Sequence, residues 1–150
     1  MDRIIVVSGY FNPIHVGHID YLQAAKKLGN RLVVIVNNDL QVTIKGSQPF
    51  MALEERLTIV SALGVVDDAV PSIDTDGSVK ATLRSIWNTY VSNRWVEKRR
   101  VAMTFANGGD RHDGNVPEYD LCEELGISLA FNVGGEKTQS SSNLLNRMSD

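Results

Sequence analysis

Short runs of β-branched residues, each followed by a segment with helical periodicity, limit the fold of this chain more than any other feature. Residues 4–7 and 32–36 are wholly apolar and rich in valine and isoleucine, so each predicts a strand buried on both faces. Between them, Ile19, Leu22 and Ala25 recur at helical spacing. A buried strand, a helix and a second buried strand predict a right-handed crossover in a parallel sheet.

The same alternation continues along the 150 residues. Further helices are predicted over residues 53–63, 78–90, 117–125 and 141–148, and further strands over residues 65–70, 101–105 and 127–133. This order predicts an α/β fold, a Rossmann-like doubly wound sheet of five parallel strands with helices on both faces. Because no linker or low-complexity tract interrupts it, one domain is expected over residues 1–150.

Composition excludes several classes of function. The net charge of −3 argues against extended binding to nucleic acid. No stretch approaches the ~20 apolar residues that cross a bilayer, so a membrane protein is not expected. The first residues enter strand one without a secretory signal, which predicts a cytoplasmic protein. The single cysteine, Cys122, lies in a predicted helix, where a buried thiol is expected rather than a nucleophile.

The loop after strand one, residues 9–18, is the predicted site, because ligands of doubly wound sheets bind beyond the carboxyl ends of the strands. His15 and His18 are three residues apart at the start of a helix, on one face and beside N–H groups that lack helical partners. Gly9 and Gly17 allow close approach to the backbone. These features predict an anion site. No protein metal site is expected, since two histidines at this spacing lack a third local ligand.

This loop, Gly9-Tyr10-Phe11-Asn12 followed by His-x-Gly-His, resembles the signature of the nucleotidylyltransferase α/β superfamily. The resemblance covers most of the chain and is greatest to heptose-1-phosphate adenylyltransferase domains and glycerol-3-phosphate cytidylyltransferases. It implies an enzyme that transfers the nucleoside monophosphate of an NTP, either ATP or CTP, to a phosphorylated sugar or polyol and releases pyrophosphate. Magnesium is expected to arrive with the NTP rather than in a protein cage.

The resemblance also implies roles for individual residues. The implied catalytic residues are His15, His18 and Lys45, the last on a flexible segment after strand two. The implied nucleotide-binding residues are Gly9, Tyr10, Phe11, Asn12, Gly17, Gly108, Asp110, Ser140, Ser141 and Ser142. The implied acceptor-binding residues are Asn38, Asp39 and Arg56.

A dinucleotide-binding oxidoreductase is disfavoured because no Gly-x-Gly-x-x-Gly turn follows strand one. A non-catalytic nucleotide-binding protein on the same fold stays open, as do the acceptor and the choice between ATP and CTP. Residues 80–100 are longer than the resemblance leads us to expect, and Trp87 and Trp95 within them supply aromatic surface. That surface and the resemblance together predict a homodimer.

Overall fold

The computed structural model describes residues 1–92, 100–109 and 114–135, in which strands and helices alternate. The strands are β1 (Asp2–Gly9), β2 (Arg31–Val36), β3 (Asp68–Pro71), β4 (Val101–Ala106) and β5 (Ser128–Ala130). The helices are α1 (Val16–Lys26), α2 (Asp39–Ile44), α3 (Leu53–Ser61), α4 (Lys80–Trp87) and α5 (Tyr119–Leu125), and a π-helical turn (Asn88–Ser92) follows α4. The helix predicted over residues 141–148 lies outside the described residues.

The strands of the described residues form one parallel sheet in the order β3-β2-β1-β4-β5. The chain steps outward from β1 to β3 and then returns to β4 on the other side of β1. This reversal places a crevice beyond the carboxyl ends of β1 and β4, where doubly wound sheets bind their ligands. The loop that carries the two histidines begins at this point.

Both faces of the sheet are covered, which explains why the strands are apolar at successive positions. Ile4 of β1 lies in the core that contains Leu83 of α4, whereas its neighbour Ile5 lies in the core that contains Leu22 of α1 and Val60 of α3. The predicted fold class, a doubly wound α/β sheet, is confirmed. In the three described ranges, none of the helices has the length and apolar character needed to span a membrane.

Helix α2 follows β2 directly and was not predicted. Asn38 is its N-cap, and the Asn38 side chain accepts a hydrogen bond from the backbone N–H of Gln41 at 2.9 Å. The Gln41 side chain accepts one from the backbone N–H of Asn38 at 3.1 Å. This reciprocal capping box satisfies two N–H groups of a six-residue helix. Two strands, β3 and β5, are shorter than predicted; before β3, Val66 forms a turn by donating to the carbonyl of Leu63.

The aromatic residues after α4 pack inward. Trp87 and Tyr90 lie against the core beneath α4, and the Tyr90 hydroxyl donates to the Asp68 carboxylate. The Arg31 guanidinium lies 5.1 Å from the Tyr90 ring centroid and also binds Asp68. The idea that Trp87 is surplus surface for a partner therefore needs correction, because the chain's own core covers part of it. Residue 95 lies outside the described residues.

Candidate active site

Two histidines cap the first turn of α1 reciprocally. His15 is the N-cap, with extended backbone angles, and its Nδ1 accepts the backbone N–H of Gly17 at 3.1 Å. His18 is three residues further, and its Nδ1 accepts the backbone N–H of His15, also at 3.1 Å. The two imidazoles stack with centroids 3.9 Å apart and an interplanar angle of 28°. The spacing inferred from the sequence thus places both rings together at a helix N-terminus.

These hydrogen bonds determine the protonation of both rings. A backbone N–H can only donate, so Nδ1 of His15 and of His18 must be an unprotonated acceptor. In each neutral ring the proton then resides on Nε2. The pair is therefore a set of two neutral N–H donors beside the positive end of α1. Such donors suit the stabilisation of charge on a phosphate, and neither ring needs to act as a base.

The ring of Phe11 packs beside that of His18. Its side chain is buried, and its ring centroid lies 4.8 Å from that of His18. Its backbone has a φ of +51°, a left-handed conformation that is rare outside glycine and that often marks functional loops. A Cβ on Gly9 would lie 2.9 Å from two carbons of the Phe11 ring. The close approach predicted at Gly9 is therefore made by the Phe11 ring. Because Phe11 is buried, it supports the histidines in this structure and is not open to a nucleotide.

Asn12 joins the site loop to residues 48–51. It is buried, its Oδ1 accepts the backbone N–H groups of Phe50 at 2.6 Å and Met51 at 3.2 Å, and its Nδ2 donates to the carbonyl of Gln48 at 2.8 Å. The Asn12–Pro13 peptide bond is cis. These contacts give Asn12 a positioning role, in place of the direct nucleotide contact expected from the sequence.

Arg56 is the buried centre of the site's framework. Its side chain is fully buried; Nε donates to the carbonyl of Met51 at 3.0 Å, and Nη1 donates to the carbonyls of Tyr10 at 2.7 Å and Asn37 at 2.6 Å. Nη2 lies 2.6 Å from Oδ1 of Asp39. The prediction that Arg56 binds the acceptor needs correction, because its guanidinium is enclosed and occupied by these four partners.

The two neighbours at the end of β2 differ in what they can offer a ligand. Asn38 uses its side-chain oxygen to cap α2, and its Nδ2 donates to the carbonyls of Ser72 at 3.1 Å and Asp74 at 2.9 Å. Its predicted contact with an acceptor stays a prediction. Asp39 keeps 46% of its side chain exposed while it pairs with Arg56. Of the three predicted acceptor residues, Asp39 alone presents a charged group that solvent reaches.

Lys45 ends helix α2. It is the C-cap residue, its side chain is exposed, and its Nζ lies 4.3 Å from the centroid of the Tyr10 ring. The sequence predicts Lys45 on a flexible segment, since it gives no periodic signal for α2. The structure instead fixes the backbone of Lys45 at a helix end and brings its ammonium group to the loop after β1.

Tyr21, in the middle of α1, contacts the end of β4 and was not among the predicted site residues. The Tyr21 hydroxyl donates to the carbonyl of Ala106 at 2.5 Å. A Cβ on Gly108 would lie 3.3 Å from the Tyr21 ring, and one on Gly134 would lie 3.1 Å from the Tyr21 Cα. Gly108 therefore lets the loop after β4 approach α1. The sequence signal for this role of Tyr21 was an aromatic residue one helical turn after His18. Asp110, Ser140, Ser141 and Ser142 lie outside the described residues.

Cys122 lies in helix α5. Its thiol is buried, and burial, together with the charge of nearby Glu118, raises its pKa to about 12. A thiol with this pKa is protonated at neutral pH and is a poor nucleophile. The prediction that Cys122 is a buried, unreactive thiol is supported by this environment.

A family model described as cytidylyltransferase-like matches residues 6–129. The chain belongs to this family. Bifunctional protein HldE of Blochmanniella pennsylvanica is 34% identical over 155 residues, which cover 97% of this chain and 27% of that protein. Bifunctional protein HldE of Haemophilus influenzae strain PittEE is 44% identical over 116 residues, 73% of this chain and 24% of that protein. The family predicted from the His-x-Gly-His loop is confirmed.

The chain spans less than a third of the length of these curated relatives; for HldE of Photorhabdus laumondii the matched share of that protein is 15%. Among solved structures, a lipopolysaccharide core biosynthesis protein from Thermoplasma volcanium aligns with a TM-score of 0.61 at 24% identity, covering 93% of this chain and 99% of that one. A putative nicotinate-nucleotide adenylyltransferase from Vibrio parahaemolyticus aligns with a TM-score of 0.58 at 12% identity, covering 99% of this chain and 88% of that one. At these identities the two structures support the fold.

Proposed function

We propose that this cytidylyltransferase-like chain transfers the nucleoside monophosphate of ATP or CTP to a phosphorylated sugar or polyol. The observation that carries the proposal is the reciprocal cap of α1. Because His15 and His18 both accept backbone N–H groups through Nδ1, both are neutral Nε2–H donors at a helix N-terminus. Two such donors suit a triphosphate whose charge increases during reaction.

The proposed reaction is a direct in-line displacement. An oxygen of the acceptor phosphate forms a bond to the α-phosphorus of the NTP, and the bond from that phosphorus to the α,β-bridging oxygen breaks. Pyrophosphate leaves with the electron pair. The attacking oxygen is already ionised, so no base is needed; catalysis depends on alignment and on donors fixed where negative charge grows. His15 and His18 supply those donors, and Lys45 adds positive charge.

A heptose phosphate is the acceptor we favour, because the HldE relatives match as much as 97% of this chain and the sequence resembles heptose-1-phosphate adenylyltransferase domains. Glycerol phosphate with CTP is the second candidate. Magnesium would enter with the NTP. Within the described ranges, no group of three His, Cys, Asp or Glu side chains is placed to hold an ion.

A substrate matrix tests the proposal. ATP, CTP, GTP and UTP are each combined with Mg²⁺ and with heptose 1-phosphate, glycerol 3-phosphate and phosphocholine, and pyrophosphate release is measured. We expect release with one nucleotide and one acceptor, and dependence on both. Tight NTP binding by calorimetry without release for any pair would favour the non-catalytic alternative and contradict the proposal.

Variants that preserve the helix cap separate catalysis from folding. Asparagine has an oxygen at the δ position and is a good N-cap, so His15→Asn and His18→Asn can keep the bonds made by Nδ1 while each removes one Nε2–H donor. We expect each to lower kcat about a hundredfold or more with little change in Tm. Lys27→Ala is the matched control, since Lys27 is an exposed C-cap residue of α1. Wild-type turnover in a folded His18→Asn protein would contradict the mechanism.

We also propose a cytoplasmic homodimer that does not bind nucleic acid, as the family resemblance and the net charge of −3 suggest. Sedimentation equilibrium of the whole chain tests the dimer, with a monomer at high protein concentration as the contrary result.

A further inference from the structure

Tyr10 and Lys45 come from different elements and contact each other. Tyr10 lies in the loop after β1 and is half-buried, whereas Lys45 ends α2 and is exposed. The Lys45 ammonium lies 4.3 Å from the Tyr10 ring centroid, within the range of a cation–π contact. Tyr10 adjoins Phe11, whose ring lies 4.8 Å from that of His18. The lysine therefore lies at the same loop as the catalytic pair.

One buried guanidinium connects both sides of this contact. Nη1 of Arg56 donates to the carbonyl of Tyr10 at 2.7 Å, and Nη2 pairs with Asp39 at 2.6 Å. Asp39 is the first residue of α2, and Lys45 follows the last residue of this six-residue helix. A helix of this length is ~9 Å long and rigid. Arg56 thus fixes the backbone beneath the Tyr10 ring relative to the helix that carries Lys45.

We propose that Tyr10 is a positioning residue for Lys45, holding the ammonium group where it meets the phosphate charge of the substrates. This inference rests on the proposed function. A lysine side chain has four rotatable bonds, and ordering it only when substrate binds would weaken its effect. The Tyr10 ring holds the ammonium before substrate binds and, unlike a carboxylate, does not itself neutralise it.

A double-mutant cycle in kcat tests the coupling. Tyr10→Leu removes the π face but keeps an apolar side chain, Lys45→Ala removes the ammonium, and the double variant removes both. Cation–π contacts at exposed sites correspond to a roughly two- to fivefold effect. We expect Tyr10→Leu to lower kcat by about that factor in the wild-type background and to have no effect in the Lys45→Ala background. Tyr10→Phe keeps the ring and should retain most of the rate.

The control variant is Lys27→Ala, which removes another exposed C-cap lysine. Tyr10→Leu should combine additively with it, and Tm and the calorimetric Kd for ATP and CTP are measured for every variant. Lys45→Ala alone should lower kcat more than it raises the KM for NTP.

The outcomes separate this inference from the proposed function. If the wild type releases pyrophosphate and Tyr10→Leu lowers kcat equally with and without Lys45, Tyr10 acts on a ligand or on the fold and the inference is wrong. It is also wrong if Tyr10→Phe loses as much rate as Tyr10→Leu, or if Lys45→Ala has no effect. A wild type that releases no pyrophosphate with any substrate pair contradicts the proposed function itself, and this inference with it.

Discussion

Replacing Arg56 tests whether this residue is a framework element or a ligand residue. Arg56→Met keeps much of the apolar volume but removes the donors to three backbone carbonyls, those of Met51, Tyr10 and Asn37. A buried carbonyl left without a donor costs about 1–3 kcal/mol. Three such groups, partly relaxed and rehydrated, predict a loss of about 3 to 5 kcal/mol in the free energy of unfolding.

Urea unfolding followed by circular dichroism measures this loss, with Asp39→Asn as the matched control. Asp39 is 46% exposed and asparagine retains an oxygen acceptor for Arg56, so this variant should lose less than Arg56→Met, even though the fully buried guanidinium then lacks its counter-ion. If Arg56→Met lost under about 1 kcal/mol while its KM for the acceptor rose steeply, the framework role would be refuted. Arg56 would then return to the acceptor site predicted from the sequence.

Three further results are expected. Gly9→Ala places a Cβ 2.9 Å from the Phe11 ring. It should lower the free energy of unfolding in urea by about 1–3 kcal/mol and lower kcat about tenfold or more. Unchanged values of both would contradict the packing argument. Cys122, whose pKa is raised to about 12, should resist iodoacetamide at about pH 8 in the native protein and react with it in urea. Equal rates of alkylation in the two conditions would show an accessible thiol. The hydrogen bond from Tyr90 is the largest cause that lowers the pKa of Asp68 below its ordinary 3.8. Tyr90→Phe should therefore lower the free energy of unfolding at about pH 7, and its difference from the wild type should vanish as the pH falls through that lowered pKa. A difference in the free energy of unfolding that stays constant with pH in urea titrations would refute the linkage.

The fold could be predicted because its signal is repeated along the chain. Strands such as residues 4–7 and 32–36 are apolar at every position, and only a sheet covered on both faces accommodates that pattern. Helix α2 escaped prediction because its six residues are too few for periodicity, and its stability depends on the capping box of Asn38 and Gln41. A local hydrogen-bond motif of this kind has little hydrophobic signature.

The candidate site was predicted in location but only partly in the roles of its residues. His15 and His18 could be found because spacing on a helix directly determines which side chains meet. The role of Arg56 could not, since an arginine on an amphipathic helix is usually exposed and its burial here depends on carbonyls of nearby Met51 and of two distant residues, Tyr10 and Asn37. Asn12 and Asn38 present the same difficulty: an asparagine side chain serves a ligand or a loop equally well, and the sequence does not record which backbone groups lie nearby.

The choice of histidine as the cap of α1 follows from two requirements at one position. The N-terminus of the helix needs an acceptor for its free N–H groups, and Asp, Ser, Thr or Asn usually provides it. An aspartate would repel the triphosphate of the proposed reaction, and a serine hydroxyl would have to donate from the same oxygen that accepts the cap hydrogen bond. An imidazole accepts the backbone N–H through Nδ1 and carries its proton on Nε2, so one neutral ring caps the helix and donates from its other nitrogen. Because His15 and His18 cap the same turn reciprocally, the hydrogen bonds that begin α1 also hold both rings in the tautomer that suits the proposed contact with phosphate.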